Sequence, residues 1–313
     1  SPDSFVIEYF KRILDKYGKP YLILEIDEHD SSVGYETRIE AGIHSFRNHA
    51  VRFSRASRPQ KGRAAAAGKA GHPVNPVLEH RLKGKTLLLP NWDALTVPLL
   101  AAAIRSIGVD ARVLEEDELS IQEGARFNSG QCLPINAIVQ GAVRYLRKYS
   151  LDPVRTVLWI VRGRWSCNLA MFPYYMKSLL ERYGGGMERV GVYSGDISHI
   201  EIAPRLAVDA YFAYLFGGLL RRLGCRFRPY ELNPGQTDRM IEAAQAILLD
   251  SFLNNRSREE AFREVLKMFS SLPISERHRP KVAIFGDFYV RDNEVMNQDL
   301  IRFIEAYGGE VVT

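Results

Sequence analysis

Two cysteines are the residues best suited to chemistry, because each stands between an apolar strand pattern and a helix pattern. Cys132 lies in RFNSGQCLPINAIVQGAVRYL (126–146), just ahead of a proline at the mouth of a helix. Cys167 lies in RGRWSCNLAMFPYY (162–175), in a matching setting. A thiol at a helix N-terminus meets unpaired backbone N–H groups and the positive end of the helix dipole, which favours thiolate. Thiolate is the form of sulfur that binds soft metals and iron–sulfur clusters. Cysteines outside disulfides are also among the most buried residues, so packing is the competing account of each. Two are too few for a complete cubane, which wants three or four protein thiolates. The third cysteine, Cys225 in LLRRLGCRFRPYE, follows a long helix pattern, is expected to open a strand, and reads as structural.

Three polar loops offer further groups. EIDEHDSSVGYETRIEA (25–41) concentrates Glu25, Asp27, Glu28, His29 and Asp30, which suit metal or acid–base work and equally suit a capped entry into a helix. GDFYVRDNEVMNQ (286–298) presents Arg291, Asn293 and Asn297, either as a polar cofactor site or as caps. Arg291 with neighbouring helix N-termini would also suit the phosphate of CoA or a nucleotide. YSGD (193–196) with His199 repeats the strand-end pattern more weakly.

These loops are positioned by an alternation of strands and helices. A helix pattern over 3–17 leads to YLILEID (21–27) and a second helix near 35–47. Further on, KTLLLP (85–90), DARVLEE (110–116), TVLWIV (156–161) and RVGVYS (189–194) read as strands. Helices are expected at 95–108, 133–148 and through NLAMFPYYMKSLLERYG, and two long ones over much of 203–270. KVAIFGDFYV (281–290) reads as a strand, followed by a helix in NQDLIRFIEAYGG and a strand beginning at EVVT. Continuous apolar strands alternating with helices predict an α/β fold of Rossmann-like parallel-sheet lobes covered by helices. Ligands of such sheets bind beyond the carboxyl ends of the strands. No GxGxxG, GxxxxGK[ST] or HExxH motif is present, so no autonomous ATP site is argued.

The net charge of +5 is concentrated. Between Arg47 and Lys83, nine Lys/Arg stand against one acid, Glu79, so the rest of the chain is mildly acidic. That Ala/Gly/Pro/Arg-rich stretch reads as a linker (47–83) between an N-terminal α/β lobe (1–46) and a central lobe (84–275), with a further α/β unit starting at 276–313. The competing account is a contact for nucleic acid or an acidic partner, but Phe53 is the stretch's one aromatic residue and nucleic acid is not expected. No uncharged apolar run is long enough for a membrane span. An odd number of cysteines without framework spacing points to a reducing compartment, the cytoplasm. The lack of an initiator Met and the ending GGEVVT lead us to expect a piece of a larger chain.

Several of these strings resemble one family. EIDEHDSSVGYETRIEA resembles the "DEH…G…TR.EA" signature of the large activase-related proteins of 2-hydroxyacyl-CoA dehydratase systems. SGQCLPINAIVQGAVRYL is similar to that family's "G.ECLP" segment, and KVAIFGDFYVRDNEVMNQDLIRFIEAYGGEVV to its "VGEIYVR.N…GGEV" segment, shared with the dehydratase subunits. RPYE (228–231) and GQTD (235–238) add smaller matches, and the resemblance spans about 20–46 and 84–313. It implies a dehydratase-subunit-like fold and a [4Fe–4S] cluster held by cysteines from separate loops. It also implies an ATP-dependent activator domain or subunit as electron donor, an acyl-CoA substrate and an oligomer. Cys132 matches the family's CLP cysteine, and Cys167 falls near its second one. Here the family's "GPCRFGQY" is GRWSCNLAMFPY, without the Gly-Pro-Cys turn, and a third ligand would come from upstream of Ser1. The activity implied is iron–sulfur electron transfer or a dehydratase-like lyase. The alternative is a non-catalytic α/β interaction module that has lost its cluster.

Overall fold

The computed structural model describes residues 10–19, 21–22, 40–48, 81–127, 132–163, 168–275 and 278–312. The chain divides into two units, Ser1–Pro76 and Val77–Thr313. In the first, helical residues 10–16 (α1) and 40–48 (α2) are described. The predicted loop at 25–38 lies outside the described residues, as does most of the basic stretch.

The second unit is built on a four-stranded parallel sheet. Its strands are β1 (Thr86–Leu89), β2 (Asp110–Val113), β3 (Thr156–Val161) and β4 (Gly191–Gly195), in the order β2-β1-β3-β4. Thr86 pairs with Asp110 on one side and Thr156 on the other, and Val157 pairs with Gly191. Leu87, Leu88 and Leu89 are fully buried and Trp159 nearly so, as continuous apolar strands covered on both faces must be. Burying each such side chain contributes about 1.5–3 kcal/mol.

The crossovers are α3 (Val97–Arg105), α4 (Glu118–Ala125) with α5 (Leu133–Lys148), and α6 (Phe172–Tyr183). Right-handed connections place α3 on one face of the sheet and α5 and α6 on the other. The packing agrees: α5 lies against α4 and α6, while α3 lies against two later helices, α7 (Leu206–Phe227) and α8 (Gln236–Leu253). α9 (Arg258–Ser270) then packs on α8. The chain closes with β5 (Lys281–Ala283), α10 (Phe288–Asp292), α11 (Leu300–Ala306) and β6 (Glu310–Val312), in which β5 and β6 form a separate parallel pair. This is an α/β fold of the broad Rossmann-like class.

Four expectations need correction. Three helices, not two, occupy 203–270, because a short turn at Arg228–Tyr230 and another after Leu253 divide the apolar stretch. Cys225 does not open a strand: it is buried near the end of α7, whose helical period continues through Phe227. The strand at 281–290 ends at Ala283, since the Asp287 carboxylate accepts the Tyr289 and Val290 N–H groups and starts α10. The polar segment ahead of Cys132 holds α4, capped by Asp117 accepting from the Ser120 N–H at 2.7 Å. Among the described residues no helix is long and apolar enough to cross a membrane.

Candidate functional site

The connection from β1 runs to β2 on one side, while β3 runs to β4 on the other. The chain therefore reverses direction between the neighbours β1 and β3, and their carboxyl ends form the crevice where such sheets bind ligands. Around it lie the segment after β1 (Asn91, Trp92, Asp93), Glu116 after β2, Arg162 and Gly163 after β3, and 196–201 after β4.

Asp93 pins this edge together. Its carboxylate accepts from the Leu95 N–H at 2.9 Å and the Thr96 hydroxyl at 2.5 Å, and pairs with Arg221 of α7 at 2.5 Å. Both charges are enclosed, their side chains only 8–9% exposed. Arg221 also reaches the Asp292 carbonyl at 3.2 Å.

A second group lines the ends of β3 and β4. Trp159 stands between Trp92 and His199, with ring centroids 5.7 and 4.7 Å away. His199 is buried in a left-handed backbone conformation, φ +55°, which a residue other than glycine adopts at some cost. Burial pushes its imidazole down to about 4, against the pull of Asp196, so the ring is neutral near pH 7. Neither ring nitrogen of His199, nor the indole nitrogen of Trp159, has a hydrogen-bond partner among the described residues. Arg162 ties the two strands, donating from its backbone to the Gly195 carbonyl at 2.7 Å and from its guanidinium to the Ser194 carbonyl at 2.9 Å. It also pairs with Glu201 at 2.9 Å.

Cys132 is half-buried at the N-cap of α5, and its side chain makes no cap hydrogen bond. Cys167 lies outside the described residues, between the end of β3 and the short 3-10 turn Asn168–Met171. Cys225 is unsuited to ligation: burial, reinforced by Glu305 and opposed by nearby arginines, pushes its thiol up. No group of three or more His, Cys, Asp or Glu that could hold a metal occurs among the described residues.

The predicted cofactor-binding residues have these positions. Asn293 is buried at the edge of β1 and β2, donating to the Asn91 carbonyl at 2.8 Å and to the Glu116 carboxylate. Asn297 braces the turn after α10, donating to the Arg291 carbonyl at 2.8 Å and accepting from the Leu300 N–H at 3.1 Å. Arg291 forks onto the Asp292 carboxylate and keeps about 40% of its side chain in solvent.

Asp93, Arg221 and Glu116 were not foreseen. Asp93 and Glu116 each follow a strand by a few residues, the position in this architecture where polar side chains gather. That position was the one signal available for either. No family model matches the chain, and neither a curated protein nor a solved structure is significantly similar to it.

Proposed function

We propose that the chain is an iron–sulfur electron-transfer or dehydratase-like module of an ATP-driven 2-hydroxyacyl-CoA dehydratase or activase system, with Cys132 and Cys167 as cluster ligands. The observation that carries the reading is the position of Cys132, half-buried at the mouth of α5. Its chemistry fits one thiolate ligand, and Cys225 does not fit. The sheet order adds support, since α5 and α6, the helices that follow the two cysteines in sequence, lie on the same face of the sheet. A bound cluster would supply a low-potential electron. The chain's part would be to hold it and to shield it from water. An ATP-dependent activator, an acyl-CoA substrate, an oligomeric state and a cytoplasmic location belong to the same reading.

The second reading, an α/β interaction module of the same family without a cluster, is favoured by a different observation. Asn293 and Asn297 are committed to bracing the chain. Thiol proximity separates the two. In the native protein a short crosslinker with two thiol-alkylating arms, each losing a halide to a cysteine sulfur, is expected to bridge Cys132 and Cys167, located by peptide mass spectrometry, and to leave Cys225 untouched until unfolding. A bridge that forms only after denaturation, or none, rules out the shared cluster.

A further inference from the structure

α10 lies against the ends of β1 and β2, and its hold there is polar. The Tyr289 hydroxyl and the Asn293 amide both donate to the Glu116 carboxylate, and the Asn91 backbone N–H approaches it too. Asn293 also donates to the Asn91 carbonyl at 2.8 Å, and Arg221 reaches the Asp292 carbonyl at 3.2 Å. The Tyr289 ring is buried.

The described charged groups around Glu116 are engaged elsewhere. Arg221 is paired with Asp93, and Arg291 with Asp292. Glu115 is turned to Lys148, Asp117 to Arg144 and Ser120, and Asp287 caps α10. Tyr289 is the titratable group in contact, and its hydroxyl is held far above the usual range by burial and by Glu116 itself. Among the described residues the carboxyl thus has donors but no cation, and burial pushes it up to about 7 against the opposing hydrogen bonds. The Asn91 Oδ1, on a residue whose backbone meets this carboxyl, is a buried acceptor with no donor among the described residues. A protonated carboxyl has an O–H in need of an acceptor.

We propose that α10 is a proton-sensitive strap: neutral Glu116 holds it closed against the strand ends, and ionised Glu116 loosens it. A carboxyl raised in the closed state makes proton binding and closure favour one another. That contribution is complete below the ordinary value of 4.5, falls as pH rises towards about 7, and is gone above it. Between pH 6 and pH 8 the ratio of closed to loosened strap drops roughly tenfold. The strap lies at the ends of β1 and β2, beside the crevice between β1 and β3, so pH gates access to that side of the crevice whichever ligand it takes. The proposal does not depend on the cluster.

Hydrogen exchange on the full chain, corrected for intrinsic exchange rates, tests it. Peptides over 286–298 are expected to lose roughly tenfold in protection from pH 6 to pH 8. Peptides over β3 should hold steady, and Glu116→Gln, neutral at both values, should keep the strap protected. Equal protection of the wild-type strap at both pH values overturns the proposal, as does an undiminished loss in Glu116→Gln. Should Glu116→Gln fail to fold, Tyr289→Phe decides. Removing a donor that favours the carboxylate is expected to move the loss to higher pH, and a loss at unchanged pH overturns the assignment to Glu116.

Discussion

Arg221→Ala is expected to lower the stability of the protein by about 3–5 kcal/mol, read from the midpoint and slope of urea unfolding. The size follows from what is left behind. Asp93 stays enclosed, its side chain 8% exposed, and has lost the cation that stood 2.5 Å away. The Leu95 N–H and the Thr96 hydroxyl still reach it, but two neutral donors do not offset a desolvated charge. The effect should be strongly non-additive. Asp93→Asn combined with Arg221→Met removes both charges, keeps an acceptor for the Leu95 N–H, and should recover a large part of the loss. A double variant as unstable as the sum of the two single variants would show that packing, and not the ion pair, carries the energy.

Gly217→Ala is the second large effect, one helical turn before Arg221 on the same face of α7. A Cβ at Gly217 would lie 1.9 Å from the Thr96 hydroxyl oxygen and 2.8 Å from its Cα. α7 therefore crosses the start of α3 in near backbone contact, and a methyl group forces the two helices apart. The expected cost is at or above the upper end of the usual overpacking range of about 1–3 kcal/mol, because the clash also displaces the Thr96 hydroxyl from Asp93. Thr96→Ala in the same chain removes the nearest clashing atom, though not the backbone contact, and should relieve part of the cost. Thermal unfolding of the two single variants and the pair measures the coupling. No relief in the pair would place the strain in the backbone contact alone.

The two predictions converge on a point that no local pattern in the chain discloses. Asp93 and Arg221 are 128 residues apart, and Glu116 is 173 from Tyr289 and 177 from Asn293. Their meeting depends on how α7 and α10 return to the edge of the sheet. What could be read were the continuous local signals. α5 occupies Leu133–Lys148 and β3 occupies Thr156–Val161, the residues expected, because an amphipathic period with basic residues in its last turn and an unbroken apolar run each announce their own limits. α4 escaped notice because it is largely polar and only Asp117, its cap, marks it. The strand expected over 281–290 was too long because apolar residues either side of Gly286 hide the capping carboxylate of Asp287. At the site, a cysteine at a helix entrance was legible from Cys132 and its neighbours. Whether Cys167 joins it depends on a loop whose course no local period sets.

Anaerobic reconstitution with iron and sulfide, followed by absorption and EPR spectra of the wild type and Cys132→Ser, tests the cluster most directly. The account predicts a broad visible absorption band and a reducible cubane signal in the wild type, both lost or strongly reduced in the variant while the fold is retained. A folded wild-type protein that stays colourless and keeps no iron would contradict it.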